Sequence, residues 1–284
     1  MKKAIVIGAG VAGLATSIRL ALKGYQTQVF EVNKYPGGKI SSFQLKGYRF
    51  DAGPSLFTMP HFVTELFELA GENPTDHFEY EKIEVSCNYF WNDKTRFKAY
   101  TDQTSFIEEA EKIFDEPTGN IQKYLNRAKK KYGLTEALFL NQSLHKLKTF
   151  LSIDTIKAIS KLHIYELQKT LHQANEDAFS SPHLVQFFDR YATYNGSDPY
   201  QTSGMMTLIQ HLESSFGTFV PKQGMVSISN SLYNLAVRLG VDFKFETPIE
   251  EINIKNNKVV GASNRDDVFK SDIVVSNMDI YSTY

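Results

Sequence analysis

Gly8, Gly10 and Gly13 stand in G-x-G-x-x-G spacing, and Glu31 follows 18 residues after the last of them. Those residue types at that spacing suit a bound dinucleotide. Gly8 permits a tight turn, Gly10 lets the backbone approach a pyrophosphate, and Gly13 lets a helix pack close to a strand. The pyrophosphate charge would rest on the N–H groups that open the helix. Glu31 would accept hydrogen bonds from ribose hydroxyls, and Ala12, inside the motif, is counted with the contact residues. An acid at this point argues against NADP; the motif alone leaves FAD and NAD open.

The motif needs a strand before it and a helix after it. Ala4 to Ile7 is a continuous apolar run, as expected of a strand buried on both faces. A helix is predicted from about Val11 to Lys23, with Leu14, Ile18, Ala21 and Leu22 at helical spacing and Gly24 as its left-handed stop. Gln28 to Glu31 reads as the second strand. Gly37 and Gly38, between Pro36 and Lys39, mark a tight loop where ribose and phosphates would lie. A hairpin is predicted over Ser42–Phe50 around Lys46-Gly47. Gly53, Pro54 and Ser55 form a second rigid loop.

Further along, His61–Ala70 reads as a helix using Phe62, Val63, Leu66, Phe67 and Leu69. Tyr89-Phe90-Trp91 and Arg96–Ala99 read as strands about a turn at Asn92-Asp93. Trp91 suits either a packed core or a surface lining a long apolar ligand. From Ser105 to about Gln210 the pattern is mainly helical. Within it, Asn120–Ile153 interleaves Lys123, Arg127, Lys129, Lys130, Lys131, Lys146 and Lys148 with apolar residues. Such a stretch suits either an anionic membrane surface or a solvated helix face. A helix with Leu232, Leu235, Ala236 and Leu239 apolar is expected to stop at Gly240. Val241-Phe243-Phe245 follows as a strand, Asn256-Asn257 as a hairpin turn, and Asp272–Asn277 as a buried strand.

Composition narrows the function classes. The 284 residues are 42% hydrophobic and 22% charged, ordinary for a soluble globular chain. A net charge of −1 gives no bias toward nucleic acid. Cys87 is the single cysteine, so neither an internal disulfide nor a cysteine metal cluster is expected, which fits a cytoplasmic protein. The seven histidines show no HExxH pattern, and no GxSxG elbow is present. Met1-Lys2-Lys3 before an apolar run imitates a signal peptide, but the nucleotide motif accounts for the same residues. No apolar run is long enough for a transmembrane helix.

GAGVAGLATSIRLALKGYQTQVFEVNKYPGGKISSF, followed by GYRFDAGPSLFTMP, resembles the FAD-binding segment of the phytoene desaturase family of carotenoid oxidoreductases, relatives of the flavin amine oxidases. The FFDRYATYNGSDPY segment and the GTFVPKQGM segment carry the resemblance on. It implies an α/β, Rossmann-like FAD-binding domain with an inserted, mainly helical substrate domain. The expected boundaries are 1–83 for the first FAD segment, 84–216 for the insertion and 217–284 for the return.

The resemblance also assigns residues. FAD would be held by Gly8, Gly10, Ala12, Gly13, Glu31, Gly37, Gly38, Lys39, Gly53, Pro54 and Ser55, and by the backbone of Ile249 at the adenine. Asp189 and Arg190 are the catalytic candidates in the substrate segment, a structural ion pair being the alternative for both. Family members often carry two consecutive glycines where this chain has Gln223-Gly224. The implied reaction is desaturation of an acyclic carotenoid by hydride transfer to flavin at a peripheral membrane surface. The loop Asp51–Pro60 with Tyr89–Asp93 resembles most the branch acting on 1-hydroxycarotenoids at the 3,4 position. Phytoene desaturase, carotenoid isomerase, flavin amine oxidase and a non-catalytic dinucleotide-binding fragment remain open. The family's chains run on beyond the counterpart of Tyr284, so a truncated FAD domain is expected.

Overall fold

A computed structural model describes residues 1–136 and 161–284. The chain folds into two units: one holds Met1–Glu81 and Phe219–Tyr284, the other Lys82–Thr218.

The first unit opens with β1 (Lys3–Ile7), α1 (Val11–Leu22) and β2 (Gln26–Phe30). Then come the hairpin β3 (Ser41–Leu45) and β4 (Tyr48–Ala52), the helix α2 (His61–Leu69) and β5 (Tyr80–Lys82). The second unit contributes β6 (Val85–Phe90), β7 (Arg96–Tyr100), α3 (Gln103–Phe114), α4 (Asn120–Thr135), α5 (Leu171–Glu176) and α6 (Pro182–Asp189). The chain returns to the first unit with β8 (Phe219–Pro221), α7 (Val226–Arg238) and β9 (Asp242–Lys244). It continues through β10 (Glu251–Lys255), β11 (Lys258–Ser263), β12 (Val268–Lys270), β13 (Ile273–Ser276) and the short α8 (Ile280–Thr283).

Four parallel strands in the order β13-β1-β2-β9 form the central sheet. Alternation of side chains along a strand gives each face its own core. Val6 and Val29 pack with Leu14 and Ile18 of α1 and with Leu232, Leu235 and Ala236 of α7. Ile5, Ile7 and Phe30 pack on the other face with Ala262 of the antiparallel sheet β10-β11-β12. Ala4, Ile5, Val6 and Ile7 are all buried, as the unbroken apolar run requires.

Three expectations need correction. Leu22 is 39% exposed, because eight residues after Leu14 the helix has rotated about 80° off the buried stripe. Phe62 and Leu69 of α2 are also exposed; only Val63, Leu66 and Phe67 face the core. β13 is half-buried along its length, since it is an edge strand of the sheet.

The second unit is built on an aromatic core, with Phe97, Phe106, Tyr124, Phe187, Phe188 and Tyr191 at its centre. The Tyr89 and Trp91 rings stack against each other beside it, and the Trp91 indole N–H donates to Gln186 Oε1 at 2.6 Å. Capping fixes the helix starts. The Asp102 carboxylate accepts from Ser105 N–H at 2.8 Å, and Thr170 with Gln173 forms a capping box at α5.

The expected basic face on Asn120–Ile153 is only partly retained. Lys123, Lys129 and Lys130 are exposed on α4, whereas Lys131 is fully buried. It falls in the inward stripe Tyr124, Ala128, Lys131, Thr135, spaced by three and four residues. Its ammonium pairs with Glu166 and donates to Thr207 Oγ1 at 2.6 Å. Arg127 is the second cation on Glu166, at 3.1 Å. Lys146, Lys148 and the rest of that stretch beyond residue 136 lie outside the described residues. Glu166→Gln leaves the Lys131 ammonium buried without its counter-charge, which is expected to cost about 3–5 kcal/mol. Chemical denaturation of the two proteins at neutral pH measures that loss.

Candidate cofactor site

The glycine motif folds into a cradle assembled from separate parts of the first unit. β1 ends at Ile7, the chain turns through Gly8–Gly10, and α1 begins at Val11. A side chain at Gly13 would collide with the Gly8 carbonyl oxygen, so this glycine sets how closely α1 can cross the turn. α1 has no side-chain cap and no acid in its first turn. Its opening N–H groups therefore present a partial positive charge with no capping anion supplied by the chain itself.

The Pro36–Lys39 loop closes on this turn. Gly37 N–H donates to the Ala9 carbonyl at 2.9 Å, and Gly10 and Gly37 form an isolated bridge. A Cβ on Gly38 would stand 3.2 Å from Gly10 Cα. The second loop joins at Gly53, where any side chain would strike the Lys39 carbonyl; Pro54 and Ser55 follow it, exposed.

Glu31 does more than the sequence suggests. It is only 4% exposed, and its Oε2 accepts from Ala9 N–H at 2.7 Å. Its Oε1 accepts from the Asn33 N–H at 2.9 Å and side-chain amide at 2.8 Å. A carboxylate offers about four lone-pair sites, so one more acceptor position remains for a hydroxyl. Ile249 lies two residues beyond Thr247, whose N–H donates to the Glu31 carbonyl at 3.0 Å. Its side chain packs under the sheet with Ile5, Ile7 and Phe30.

Several residues of the cradle escaped the motif reading. Asp51 Oδ2 accepts from Met225 N–H at 2.9 Å, and its Oδ1 pairs with Arg49 at 3.1 Å. This clamp ties the β3–β4 hairpin to the start of α7. A Cβ on Gly224 would run into both side chains, so the close approach needs glycine at this position. Ser229 of α7 faces the space that a side chain on Gly37 would fill, and its buried hydroxyl has no partner among the described residues. Asn277, just after β13, places its amide against Gly10 and Gly13. Asp51 and Gly224 lie in segments that carried the sequence resemblance, whereas no short motif marks Ser229 or Asn277, which act by proximity in space.

The glycine cradle, the uncapped α1 terminus and the orphaned Ser229 hydroxyl fit a dinucleotide. The parallel sheet carries helices on one face and a three-stranded antiparallel sheet on the other. The family model of the flavin containing amine oxidoreductases matches residues 11–283, and the chain belongs to that family. The family's description names a flavin. A 1-hydroxycarotenoid 3,4-desaturase of Flavobacterium sp. (strain P99-3) is 49% identical over the whole chain, which spans 58% of that relative. A 4,4'-diapolycopene oxygenase of Methylomonas sp. is 30% identical over 98% of the chain and 56% of its own length. Cyclohexylamine oxidase from Brevibacterium oxydans IH-35A shares the fold at a TM-score of 0.61 and 18% identity, covering 96% of this chain and 57% of that one. The resemblance to carotenoid desaturases read from the sequence is thus borne out. The chain spans a little over half the length of the curated relatives it matches.

Asp189 and Arg190 do not pair with each other; both enter networks within the second unit. Asp189 accepts from the Asn175 amide at 2.8 Å and meets His172 Nδ1 at 2.7 Å. Arg190 pairs with Glu213 at 2.8 Å and lies over the Tyr191 ring, 4.6 Å from its centroid. Glu213 also accepts from the Tyr191 and Tyr194 hydroxyls, at 3.2 and 2.5 Å. Burial, reinforced by the Glu213 charge, pushes both phenols up, so they act as neutral donors.

Burial opposes a charge on His172, but hydrogen bonding and attraction from Asp189, with Glu176 beyond, outweigh it and raise the pKa above the usual 6.5. A raised histidine contributes its stability in full below the unfolded pKa and loses it as pH rises through the folded value. The second unit is therefore expected to melt at progressively lower temperature as pH climbs through and above the ordinary histidine range. His172→Gln should flatten that slope in thermal melts taken across pH. Separately, Gly13→Ala is expected to cost about 1–3 kcal/mol through overpacking, with nucleotide binding lost in equilibrium dialysis.

Proposed function

We propose that this protein is an FAD-dependent carotenoid desaturase, acting at the 3,4 position of 1-hydroxylated acyclic carotenoids. The identity of 49% to a 1-hydroxycarotenoid 3,4-desaturase, spread over all 284 residues, carries the reading. In the proposal, Gly8, Gly10, Ala12, Gly13, Gly37, Gly38 and Lys39 hold the pyrophosphate and its ribose. Glu31 accepts from a ribose hydroxyl through its remaining lone-pair site. Gly53, Pro54 and Ser55 lie along the cofactor, and the Ile249 backbone meets adenine. When bound, the flavin would supply the acceptor for one hydride, which carries both electrons, while the hydrogen on the adjacent carbon leaves as a proton, so that two C–H bonds become one C=C bond. Asp189 and Arg190 are better supported as groups that shape the interior of the second unit than as acid or base, because the Asp189 carboxylate is held by Asn175 and His172 and the Arg190 guanidinium is ion-paired to Glu213.

The reading includes a cytoplasmic site of action on an anionic membrane surface. Lys123, Lys129 and Lys130 on the exposed face of α4 suit such a surface, and a carotenoid dissolves in lipid. Among the described residues no helix is long and apolar enough to cross a membrane.

Pigment analysis tests the substrate. The protein is expressed in cells that accumulate either phytoene or 1-hydroxylated acyclic carotenes, and products are separated and weighed by mass spectrometry. The expected product is a hydroxylated carotene lacking two hydrogens. Consumption of phytoene with the hydroxylated carotene untouched overturns the substrate assignment, and a product that gains oxygen favours the chemistry named for the Methylomonas relative.

A further inference from the structure

Asn277 lies at the end of the central sheet, far in sequence from the motif it meets. Its N–H donates to the Ile7 carbonyl at 2.8 Å, one residue beyond the Ile7–Ser276 pair of the β1–β13 ladder. That bond pins the backbone beside the turn. The side-chain nitrogen stands 2.9 Å from where a Cβ would lie on Gly10, and 2.9 Å from one on Gly13. It stands 3.8 Å from the corresponding point at Gly8. One amide thus packs against all three glycines of the motif.

Glycine at position 10 therefore keeps room for a second structural group as well as for the ligand. The amide is half-buried. The hydrogen bonds of the described residues give its side chain no partner, whereas the clamp residue Asp51 and the acid Glu31 are both engaged. A buried or half-buried amide that meets a turn built for an anion, without a protein acceptor, is placed to donate to that anion.

We propose that Asn277 is a binding residue of the cradle, its amide donating to the pyrophosphate of the dinucleotide. The proposal rests on the FAD reading above. It adds a neutral donor, from the residue just after β13, to the backbone N–H groups of the turn. The neutrality matters: an aspartate of the same shape would set a negative charge against a phosphate in a partly dry site.

Titration of the 284-residue chain with adenosine, ADP and FAD, followed by ligand-observed NMR, tests this. Asn277→Asp is expected to weaken ADP and FAD by about tenfold or more, the scale of a hydrogen bond to a charged group. Adenosine, which lacks phosphate, should bind the variant as it binds the parent. Asn277→Ala should fall between the two for ADP and FAD, again with adenosine unchanged. If Asn277→Asp does not fold, the ADP-to-adenosine ratio of Asn277→Ala decides the matter. Unchanged ADP affinity, or equal losses for adenosine and ADP, overturns the role of Asn277 while leaving the cradle. Failure of the parent chain to bind any of the three overturns the cradle reading and this inference with it.

Discussion

The peptide groups of Ala9 hold the cradle together. The N–H of this buried residue is taken by the Glu31 carboxylate and its carbonyl by the Gly37 N–H, so both polar groups of the turn are satisfied by other loops. Buried backbone groups must find partners or lose the free energy of a hydrogen bond. That requirement draws the end of β2 and the 36–39 loop onto the glycine turn. With the 36–39 loop in place there is no room for a side chain at Gly53, while the turn itself, through the Gly8 carbonyl, excludes one at Gly13; the opening N–H groups of α1 are left without a side-chain cap. The acid proposed to grip a ribose is the same acid that sets the turn.

The central sheet explains why the cradle stays rigid. Alternating side chains of β1 and β2 feed two separate cores, helices on one face and β10–β12 on the other. A strand packed on both sides cannot slip register without turning every side chain to the wrong face. The turn at Gly8 inherits that fixed position. Parts of the chain that follow the second unit complete the site: Gly224 and Met225 meet the Arg49–Asp51 clamp, Ser229 meets Gly37, and Asn277 meets Gly10 and Gly13. Membership in the flavin containing amine oxidoreductases agrees with this layout.

The second unit handles charge differently. Its buried ions come in paired groups: Lys131 with Glu166, Arg190 with Glu213, and Asp189 with Asn175 and His172, although the buried Arg190 Nε has no partner among the described residues. Removing a single partner from such a group leaves a desolvated charge, which is why these residues read as fold-determining. Asp189 and Arg190 are adjacent in sequence and look like a natural pair. Successive residues of a helix point about 100° apart, and here they reach different partners.

By itself, the sequence determined the elements and the first half of the site. The strand, glycine turn, helix and acid from Lys3 to Glu31 are local, and period and spacing reveal them. The left-handed stop at Gly24 and the hairpin turn at Lys46-Gly47 are equally local, since backbone conformation at one or two residues decides them. Tertiary structure alone decided that Glu31 caps the turn, that Lys131 is buried, and that Arg49, Asp51, Ser229 and Asn277 gather on the glycines. These depend on which distant backbone groups compete for the same acceptor, and on how closely two segments can approach. No periodicity within a single stretch records either quantity, because both arise only when the sheet has formed.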